Sequence, residues 1–591
     1  MTINSRVQRL REEMAKENIY AYLIPSDDFH QSEYVADYFK AREYISGFTG
    51  SAGTALVTMD EALLWVDGRY FIQGEKEIAG TEFRLMKMGE AGVPTVFQYL
   101  KEHCKDKTLA FDGRCISYKE GLEYSKSFKL EYNLDLVDRI WDARPKLPDG
   151  KIWELPIKYA GESREAKIQR VRKAMKEVGA EYHLLSTLDD ICWLLNIRGN
   201  DIEYFPMCLS YLLISQESVN LYLNRDKLDD IMAQKLNEAG VQFFEYDRIY
   251  SHLEELSSGA ILADPDNINY LLYTKLHIAL IEKENPEILF KAIKNQVEIE
   301  NIKKAQIMDS LAHVRFMKWL KERPVRDGVL QDEGKDITEI DASMKLESFR
   351  REFPSYIQPS FDPISAVGEH GAIIHYSATP ESNEKLRTKT LYLSDTGAGF
   401  YEGSTDITRT FALGEISDKC KADFALVLKA NLRLANAKFV KGTKGATLDM
   451  LAREPFWAKN KDYKHGTGHG VGYLLNIHEG PQNISFGRGG KALEPGMVVT
   501  DEPGIYIENE YGIRLENELL TCVDSSNEFG EFYRFQIISY IPFDLDAINP
   551  DDLGEEDKAL LNEYHREVYN KLSPYLKEEE CQWLLEYTKE I

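Results

Sequence analysis

Cysteine is scarce in this 591-residue sequence, and it is never arranged in closely spaced pairs. The seven cysteines are scattered and include no CxxC pair, so the sequence indicates neither a disulfide framework nor a thiolate zinc site. No run of about 18 apolar residues occurs, which excludes a membrane-spanning helix. The N-terminal segment lacks the apolar core of a signal peptide. These absences predict a protein of a reducing compartment, the cytoplasm.

Positive charge is also in deficit. Lysine and arginine total 72 against 98 aspartates and glutamates, which makes the formal net charge −26, and no segment concentrates enough basic residues to offset it. Nucleic acid and membranes are therefore excluded as expected partners. With 43% hydrophobic and 29% charged residues, the composition is that of a folded globular protein, and the length predicts several domains.

Strand and helix patterns divide the chain into four predicted domains. Residues 1–155 and 156–290 each alternate short β-type runs with helical patterns, which predicts two α/β domains, and similar strand pairs in both hint at a duplication. Residues 291–545 begin with a long helical pattern and continue as glycine-rich short strands. Residues 546–591 form two helical patterns split by Pro574, which we interpret as a docking or oligomerisation extension.

Two aspartates of the third region flank a turn. Asp395 and Asp406 lie on β-type runs joined by a glycine-containing turn, which we predict to be centred near residues 400–401. In a symmetric hairpin the two aspartates would face each other directly. Because opposed like charges destabilise a strand pair, a positive group is expected between them.

A second turn, at Asn509, repeats this arrangement. Glu502 and Glu516 lie symmetrically on either side of it, so a second pair of carboxylates is predicted to converge. The other acids around this turn are expected to be solvated: Glu508, Glu510 and Glu518.

Between the hairpins lies the run His465-Gly-Thr-Gly-His469-Gly-Val-Gly472, whose glycines disfavour a helix and permit close approach of the backbone to a ligand. The run matches neither GxGxxG nor a P-loop, and the chain contains no HExxH motif. A single carboxylate here would be explained by pairing with Arg409 or Arg514. Two converging acid pairs with a glycine-flanked histidine are not explained in that way.

These five side chains make an oxygen-rich, hard ligand set. Such a set suits Mn²⁺ and tolerates Co²⁺, Zn²⁺ or Fe²⁺. The four negative charges match two divalent ions. The sequence therefore predicts a two-metal site built from Asp395, Asp406, His469, Glu502 and Glu516.

Those residues also carry a resemblance to the aminopeptidase P family of metallopeptidases, which has the pita-bread fold. The strings that match are His375-Tyr-Ser, Thr405-Asp-Ile-Thr-Arg-Thr410, His465-Gly-Thr-Gly-His469-Gly-Val-Gly, His478-Glu-Gly-Pro, Glu502-Pro-Gly and Gly512-Ile-Arg-Leu-Glu516. The strings Asp67-Gly-Arg-Tyr70 and Phe48-Thr-Gly-Ser-Ala-Gly53 extend the likeness to the long, three-domain cytosolic form. The resemblance implies two α/β domains of the creatinase N-terminal type followed by a pita-bread catalytic domain.

The resemblance also implies a role for each ligand. It makes Asp406 and Glu516 bridging ligands, Asp395 a ligand to one metal, and His469 with Glu502 ligands to the other. The implied reaction releases the first amino acid from peptides whose second residue is proline, with a hydroxide bridging the two metals as nucleophile.

Four residues are implied to act on the substrate. Glu502 is the candidate proton shuttle to the proline nitrogen, which must be protonated to leave. The resemblance places His375, His465 and His478 around the scissile bond, with His465 or His478 donating to the developing oxyanion. No role is assigned to His370.

Two other readings stay open. Prolidase uses a similar five-ligand site but is confined to Xaa-Pro dipeptides, and the additional middle domain favours the enzyme that acts on longer peptides. A non-catalytic pita-bread binding protein is disfavoured because all five ligands are present here. A homodimer is expected by analogy, with the C-terminal region as the interface.

Overall fold

The computed structural model describes residues 1–487 and 489–591. They form two compact units, one made of residues 1–157 and 162–288, the other of residues 158–161 and 289–591. Within the described ranges, no helix combines the length and the apolar character that crossing a bilayer requires.

The first unit contains two six-stranded mixed sheets. The first sheet has the order β4-β3-β2-β1-β5-β6. Its strands are β1 Ala21–Pro25, β2 Thr54–Thr58, β3 Ala62–Val66, β4 Phe83–Lys87, β5 Thr108–Ala110 and β6 Lys129–Glu131. The accompanying helices are α1 Ile3–Lys16, α2 Ala41–Ser46, α3 Phe71–Glu77, α4 Val96–His103 and α5 Tyr118–Ser125. All five residues of β3 are buried, as expected for a strand covered on both faces.

The second sheet has the order β12-β11-β10-β8-β13-β14. Its strands are β8 Tyr182–Leu185, β10 Tyr211–Ser215, β11 Val219–Tyr222, β12 Val241–Phe244, β13 Ala260–Ala263 and β14 Ala279–Glu282, while β7 Trp153–Glu154 pairs with β9 Ile197–Arg198. The helices of this part are α7 Arg164–Val178, α8 Leu188–Leu195, α9 Asp230–Glu238, α10 Arg248–Glu255 and α11 Tyr270–Thr274, while α6 Ile157–Ala160 and α12 Pro286–Ala292 each include residues of both units.

The two sheets share one topology. In each, two antiparallel pairings in the middle are flanked by parallel pairings, in the same order along the chain. The duplication suggested by the sequence is therefore confirmed at the level of strand order.

The second unit packs long helices against short, glycine-rich strands. Its helices are α13 Gln296–Lys321, α14 Glu339–Arg350, α15 Asp418–Ala435, α16 Gly445–Trp457, α17 Glu555–Leu572 and α18 Glu578–Tyr587. Its strands are β15 Val325–Arg326, β16 Val329–Asp332, β17 Lys335–Asp336, β18 Tyr356–Pro359, β19 Ile364–Val367, β20 Thr390–Thr396, β21 Ala398–Phe400, β22 Gly403–Ser404, β23 Ile407–Leu413, β24 Lys438–Val440, β25 Gly468–Gly470, β26 Glu479–Ile484, β27 Val498–Asp501, β28 Gly504–Ile507, β29 Tyr511–Arg514, β30 Asn517–Asn527 and β31 Gly530–Ile537.

Two sheets of this unit position the site. One has the order β19-β20-β23, and the other β24-β31-β30-β27-β25-β26. A single apolar core joins α15, the strands β27 to β31 and the C-terminal helix α17, to which α17 contributes Leu561, Val568 and Leu572. The C-terminal helices therefore dock on the unit that carries the candidate ligands.

Candidate metal centre

The first hairpin has a register that differs from the predicted one. Asp395 pairs with Thr408, and the pairing continues outward to Gly399 and Ser404. The predicted direct opposition of Asp395 and Asp406 is wrong, because the turn is centred one position later in the chain. Asp406 lies two residues before the direct partner of Asp395, so the two carboxylates are diagonal neighbours.

The second hairpin forms as predicted. Strands β28 and β29 pair Gly504 with Arg514, and Asn509 occupies the turn with a φ of 61°. The same register directs Glu502 and Glu516 toward each other just beyond the ladder. Asparagine tolerates this left-handed conformation, which explains why the turn can be located from the sequence.

Three side chains of the predicted set converge closely. Asp406, His469 and Glu516 each offer a ligand atom, and these atoms lie within 4.8 Å of one another. His469 Nε2 lies 3.4 Å from Asp406 Oδ2 and 3.6 Å from Glu502 Oε1. His469 Nδ1 contacts the Gly470 carbonyl at 2.9 Å. A proton on Nδ1 would satisfy that carbonyl and leave the Nε2 lone pair facing the carboxylates, which is the usual way a metal-binding histidine is oriented.

Two of the carboxylates are held by one oxygen and offer the other. Asp395 Oδ2 accepts from Arg514 Nη2 at 2.5 Å and Nε at 3.1 Å, while Glu516 Oε2 accepts from Thr408 Oγ1 at 2.7 Å. Asp395 Oδ1 and Glu516 Oε1 are buried and accept no hydrogen bond from any residue that the structure describes. Buried, oriented carboxylate oxygens without a donor fit hard divalent cations.

The electrostatics lead to the same interpretation. Burial raises the pKa of Glu502 to about 7, with His469 opposing and Asp406 adding to the shift. Burial and the charge of Asp406 also raise the pKa of Glu516 well above its ordinary value. For His469, the carboxylates outweigh burial and raise the pKa to about 9. This is the pattern of a site with an excess of negative charge, which bound cations would compensate.

Glu518 is a buried residue of the candidate site that the sequence interpretation missed. It is fully buried, and its Oε1 accepts the backbone N–H of Asp406 at 2.8 Å. Burial and the charge of Asp406 raise its pKa to about 8. The expectation that Glu518 is solvated is therefore wrong, whereas Glu508 and Glu510 are exposed. The available signal was its position in β30, two residues after the predicted ligand Glu516.

A hydrogen-bonded chain links His465 to the candidate ligands. Tyr506 Oη lies 2.9 Å from His465 Nε2 and accepts from Arg514 Nη1 at 2.8 Å, and Arg514 in turn holds Asp395. His465 Nδ1 contacts the Gly466 carbonyl at 2.7 Å. Because arginine only donates, Tyr506 can donate its own proton to Nε2, which favours the His465 tautomer protonated on Nδ1. Tyr506, which lies in β28, was not predicted.

The other two predicted histidines lie beside this cluster. The His478 ring is 4.3 Å from that of His469, centroid to centroid, at an interplanar angle of 72°. His375 is partly exposed, and the carbonyl of the preceding residue, Ile374, accepts from Arg514 Nη2 at 3.3 Å. The guanidinium that holds Asp395 therefore also contacts the segment that carries His375.

That segment is anchored by Glu339, a second residue that the sequence did not single out. The side chain is fully buried and accepts from four donors between 2.8 and 3.0 Å. The donors are the backbone N–H groups of Val367 and Glu384, the Tyr376 hydroxyl and His370 Nδ1. His370, to which no role was assigned, thus contacts this anchor.

Known families match the chain along its length. The creatinase/prolidase N-terminal domain matches residues 6–144 and again, through a second family profile, residues 143–298. Metallopeptidase family M24 matches residues 300–521, and the C-terminal region of peptidase M24 matches residues 531–591.

Individual proteins match over the whole chain. The probable Xaa-Pro aminopeptidase P of Laccaria bicolor is 37% identical over 98% of this chain and 92% of its own length, and aminopeptidase P1 of Arabidopsis thaliana is 35% identical over 97% and 96%. The crystal structure of X-prolyl aminopeptidase from Caenorhabditis elegans, described as a cytosolic enzyme with a di-nuclear active site, covers 100% of both chains with a TM-score of 0.94 and 32% identity. The prolidase from Pyrococcus horikoshii, at 24% identity and a TM-score of 0.50, covers 64% of this chain and 99% of its own, and shares the fold.

Proposed function

The chain belongs to the Xaa-Pro aminopeptidase family of M24 metallopeptidases, and from this we propose that it is a metal-dependent aminopeptidase that removes the first residue from peptides with proline in second position. The observation that carries the proposal is the convergence of Asp406, His469 and Glu516 within 4.8 Å. In an enzyme of this family such a cluster serves metal-assisted hydrolysis of a peptide bond.

We propose that two divalent cations, preferably Mn²⁺, are held by the five predicted ligands. Asp406 and Glu516 are assigned to both cations, Asp395 to one, and His469 with Glu502 to the other. The free oxygens of Asp395 and Glu516 support this assignment. When bound, the two cations supply Lewis-acid activation of water and polarise the scissile carbonyl.

We assign the proton transfers to a side chain of the protein. Glu502 is the proposed shuttle that accepts a proton from the attacking water and passes it to the proline nitrogen. Its place beside the cluster, with Glu502 Oε1 3.6 Å from His469 Nε2, supports this role.

The histidines are assigned to substrate binding and to the carbonyl oxygen. Donation to the developing oxyanion is assigned to His465 or His478, both of which lie beside the candidate ligands. His465 and His375 are proposed to bind and orient the substrate around the scissile bond.

Peptide length separates this function from prolidase. We propose that a product assay on Xaa-Pro peptides of two, three and nine residues, with Mn²⁺ and with a chelator, will show metal-dependent release of the first residue from all three. Prolidase would leave the tripeptide and the nonapeptide intact. Absence of turnover of every peptide by the Mn²⁺-loaded protein would favour the non-catalytic alternative.

We further propose a cytoplasmic homodimer with domains at 1–155, 156–290, 291–545 and 546–591. Two exposed aromatic side chains on the third of these, outside the C-terminal region expected from the sequence to form the interface, support self-association. Trp457 and Phe486 are 37% and 64% exposed, and their ring centroids lie 5.7 Å apart. Light scattering of the wild type and of Phe486→Glu tests this: the charge should shift the mass toward that of one chain, and a wild-type protein that is already monomeric would refute it.

A further inference from the structure

Two buried cysteines lie in contact in the first unit. Cys192 in α8 and Cys208, just before β10, have their Sγ atoms 3.8 Å apart, and neither residue is exposed to solvent. Both are thiols, as are the other cysteines of the chain. The 15 residues between them form a hairpin-like excursion that contains β9. This arrangement takes no part in the proposed peptidase chemistry.

The surroundings of the pair favour reaction at Cys192. The Arg198 side chain is buried, and its Nη1 donates to the Cys192 carbonyl at 3.2 Å. Burial would raise the pKa of the Cys192 thiol, but the contact with Cys208 and the charge of Arg198 outweigh it and lower that pKa. The pKa of Cys208 is raised, chiefly by its contact with Cys192. The geometry and the charge together make Cys192 the nucleophile and Cys208 its proton-bearing neighbour.

We propose that Cys192 and Cys208 are a redox-active pair that closes to an intramolecular disulfide when the enzyme meets a hydroperoxide. A disulfide needs sulfur atoms about 2 Å apart, so the two side chains must approach by roughly 1.8 Å in total.

Hydrogen peroxide, the smallest hydroperoxide, can oxidise the pair in two steps. The Cys192 thiolate attacks one peroxide oxygen, the O–O bond breaks, and a sulfenic acid and hydroxide form. Cys208 then attacks the Cys192 sulfur, the S–O bond breaks, and the hydroxyl leaves as water with the Cys208 proton. In total, two thiols and one peroxide yield one disulfide and two waters, with two electrons passing from sulfur to oxygen. A small-molecule dithiol reverses the change by thiol–disulfide exchange.

Closure would connect α8 to the start of β10 across β9. Because the cross-link closes a loop of defined length, it reduces the freedom of the unfolded chain and stabilises the second α/β domain against local opening. The proposed consequence is a second domain that resists thermal unfolding under oxidising conditions.

Peptide mapping of the full-length, Mn²⁺-loaded enzyme tests the proposal. The protein is treated with hydrogen peroxide, its remaining thiols are alkylated after unfolding, and the digest is analysed by mass spectrometry with and without prior reduction. We expect a linked peptide that contains Cys192 and Cys208, is lighter by two hydrogens than the sum of its parts, and disappears on reduction. Treatment should also raise Tm for the wild type and leave it unchanged for Cys208→Ser.

Cys104 provides the internal control because it is equally buried but has no cysteine partner in contact. It should remain alkylatable under conditions that link the pair. The proposal is overturned if Cys192 and Cys208 stay alkylatable to the same extent as Cys104, or if they are oxidised separately to sulfinic acids without a linked peptide. Because the linked peptide is read in the wild type, a folding defect in Cys208→Ser would not obscure the result.

Discussion

Glu518 Oε1 accepts the backbone N–H of Asp406 at 2.8 Å, and the Glu518 side chain is completely shielded from solvent. A buried acid therefore orients a candidate bridging ligand through a hydrogen bond to its backbone. The backbone of Glu518 is itself fixed, because its N–H donates to the buried Ser539 Oγ at 2.9 Å. Groups that orient metal ligands in this way contribute to metal affinity without touching the metal.

Replacing Glu518 tests that role. Glu518→Ala removes the acceptor for the Asp406 N–H and is expected to weaken Mn²⁺ binding by about 10- to 100-fold. Glu518→Gln keeps an acceptor oxygen, so its affinity for Mn²⁺ should fall much less. Calorimetric titration of both variants with Mn²⁺ measures the difference, and equal affinity of Glu518→Ala and the wild type would show that the contact is dispensable.

Asp406→Ala tests the central ligand. Because Asp406 converges with His469 and Glu516, its loss should abolish peptidase activity and remove bound metal together. Metal analysis by mass spectrometry and an Xaa-Pro peptide assay provide the two measurements. Glu508→Ala, at an exposed position in the turn of the second hairpin, is the control and should behave as the wild type. Two tightly held ions in Asp406→Ala would contradict the assignment.

Breaking the hydrogen-bonded series that runs from His465 to Asp395 should lower turnover and leave the metal content unchanged. His465→Phe keeps a ring but loses both ring nitrogens, and Tyr506→Phe removes only the hydroxyl that joins His465 to Arg514. We expect His465→Phe to lower kcat by about 100-fold, with a smaller loss for Tyr506→Phe and full metal content in both. Steady-state kinetics combined with metal analysis decide this. Normal turnover by His465→Phe would remove His465 from the mechanism.

Acid should destabilise the second unit through His565. This ring is buried, its Nε2 accepts the Phe543 N–H at 3.1 Å, and burial lowers its pKa to about 3. A histidine whose folded pKa is depressed contributes stability above its unfolded pKa of about 6.5, and that contribution is lost as the pH falls toward 3. The expected loss is roughly 2 kcal/mol between pH 7 and pH 5.

Urea unfolding of the wild type and of His565→Gln across that range isolates the effect. Glutamine retains an acceptor for the Phe543 N–H but does not titrate, so the variant should show a shallower decline in the free energy of unfolding. Comparison of the two proteins cancels the titration of the metal ligands. If the free energy of unfolding fell equally with pH in both proteins, His565 would not be responsible for the decline.

Some features could be read from the sequence because their causes are local. The Asn509 turn was located correctly, since asparagine tolerates the left-handed backbone that a tight turn requires. The long helical pattern predicted at the start of the third region forms α13 over Gln296–Lys321, with a capping box at Asn295 and Glu298 that marks its start. The ligand types and their order along the chain likewise required no tertiary information.

The first hairpin could not be read in the same way. Several glycines lie between Asp395 and Asp406, and each tolerates many backbone conformations, so the sequence does not specify which residues form the turn. A shift of the turn by one position moves the direct partner of Asp395 from Asp406 to Thr408. The packed sheet selects the register because each alternative buries a different set of side chains.

By itself, the sequence predicted the four-carboxylate and one-histidine ligand set and the kind of metal that would suit it, and it determined the duplicated α/β architecture before it. Only the tertiary structure decided that Glu518 supports Asp406 from behind, that Tyr506 joins His465 to Arg514, and that Cys192 contacts Cys208. The reason is physical: residue type and spacing specify local conformation and chemistry, whereas burial and side-chain partners depend on which strands and helices pack together.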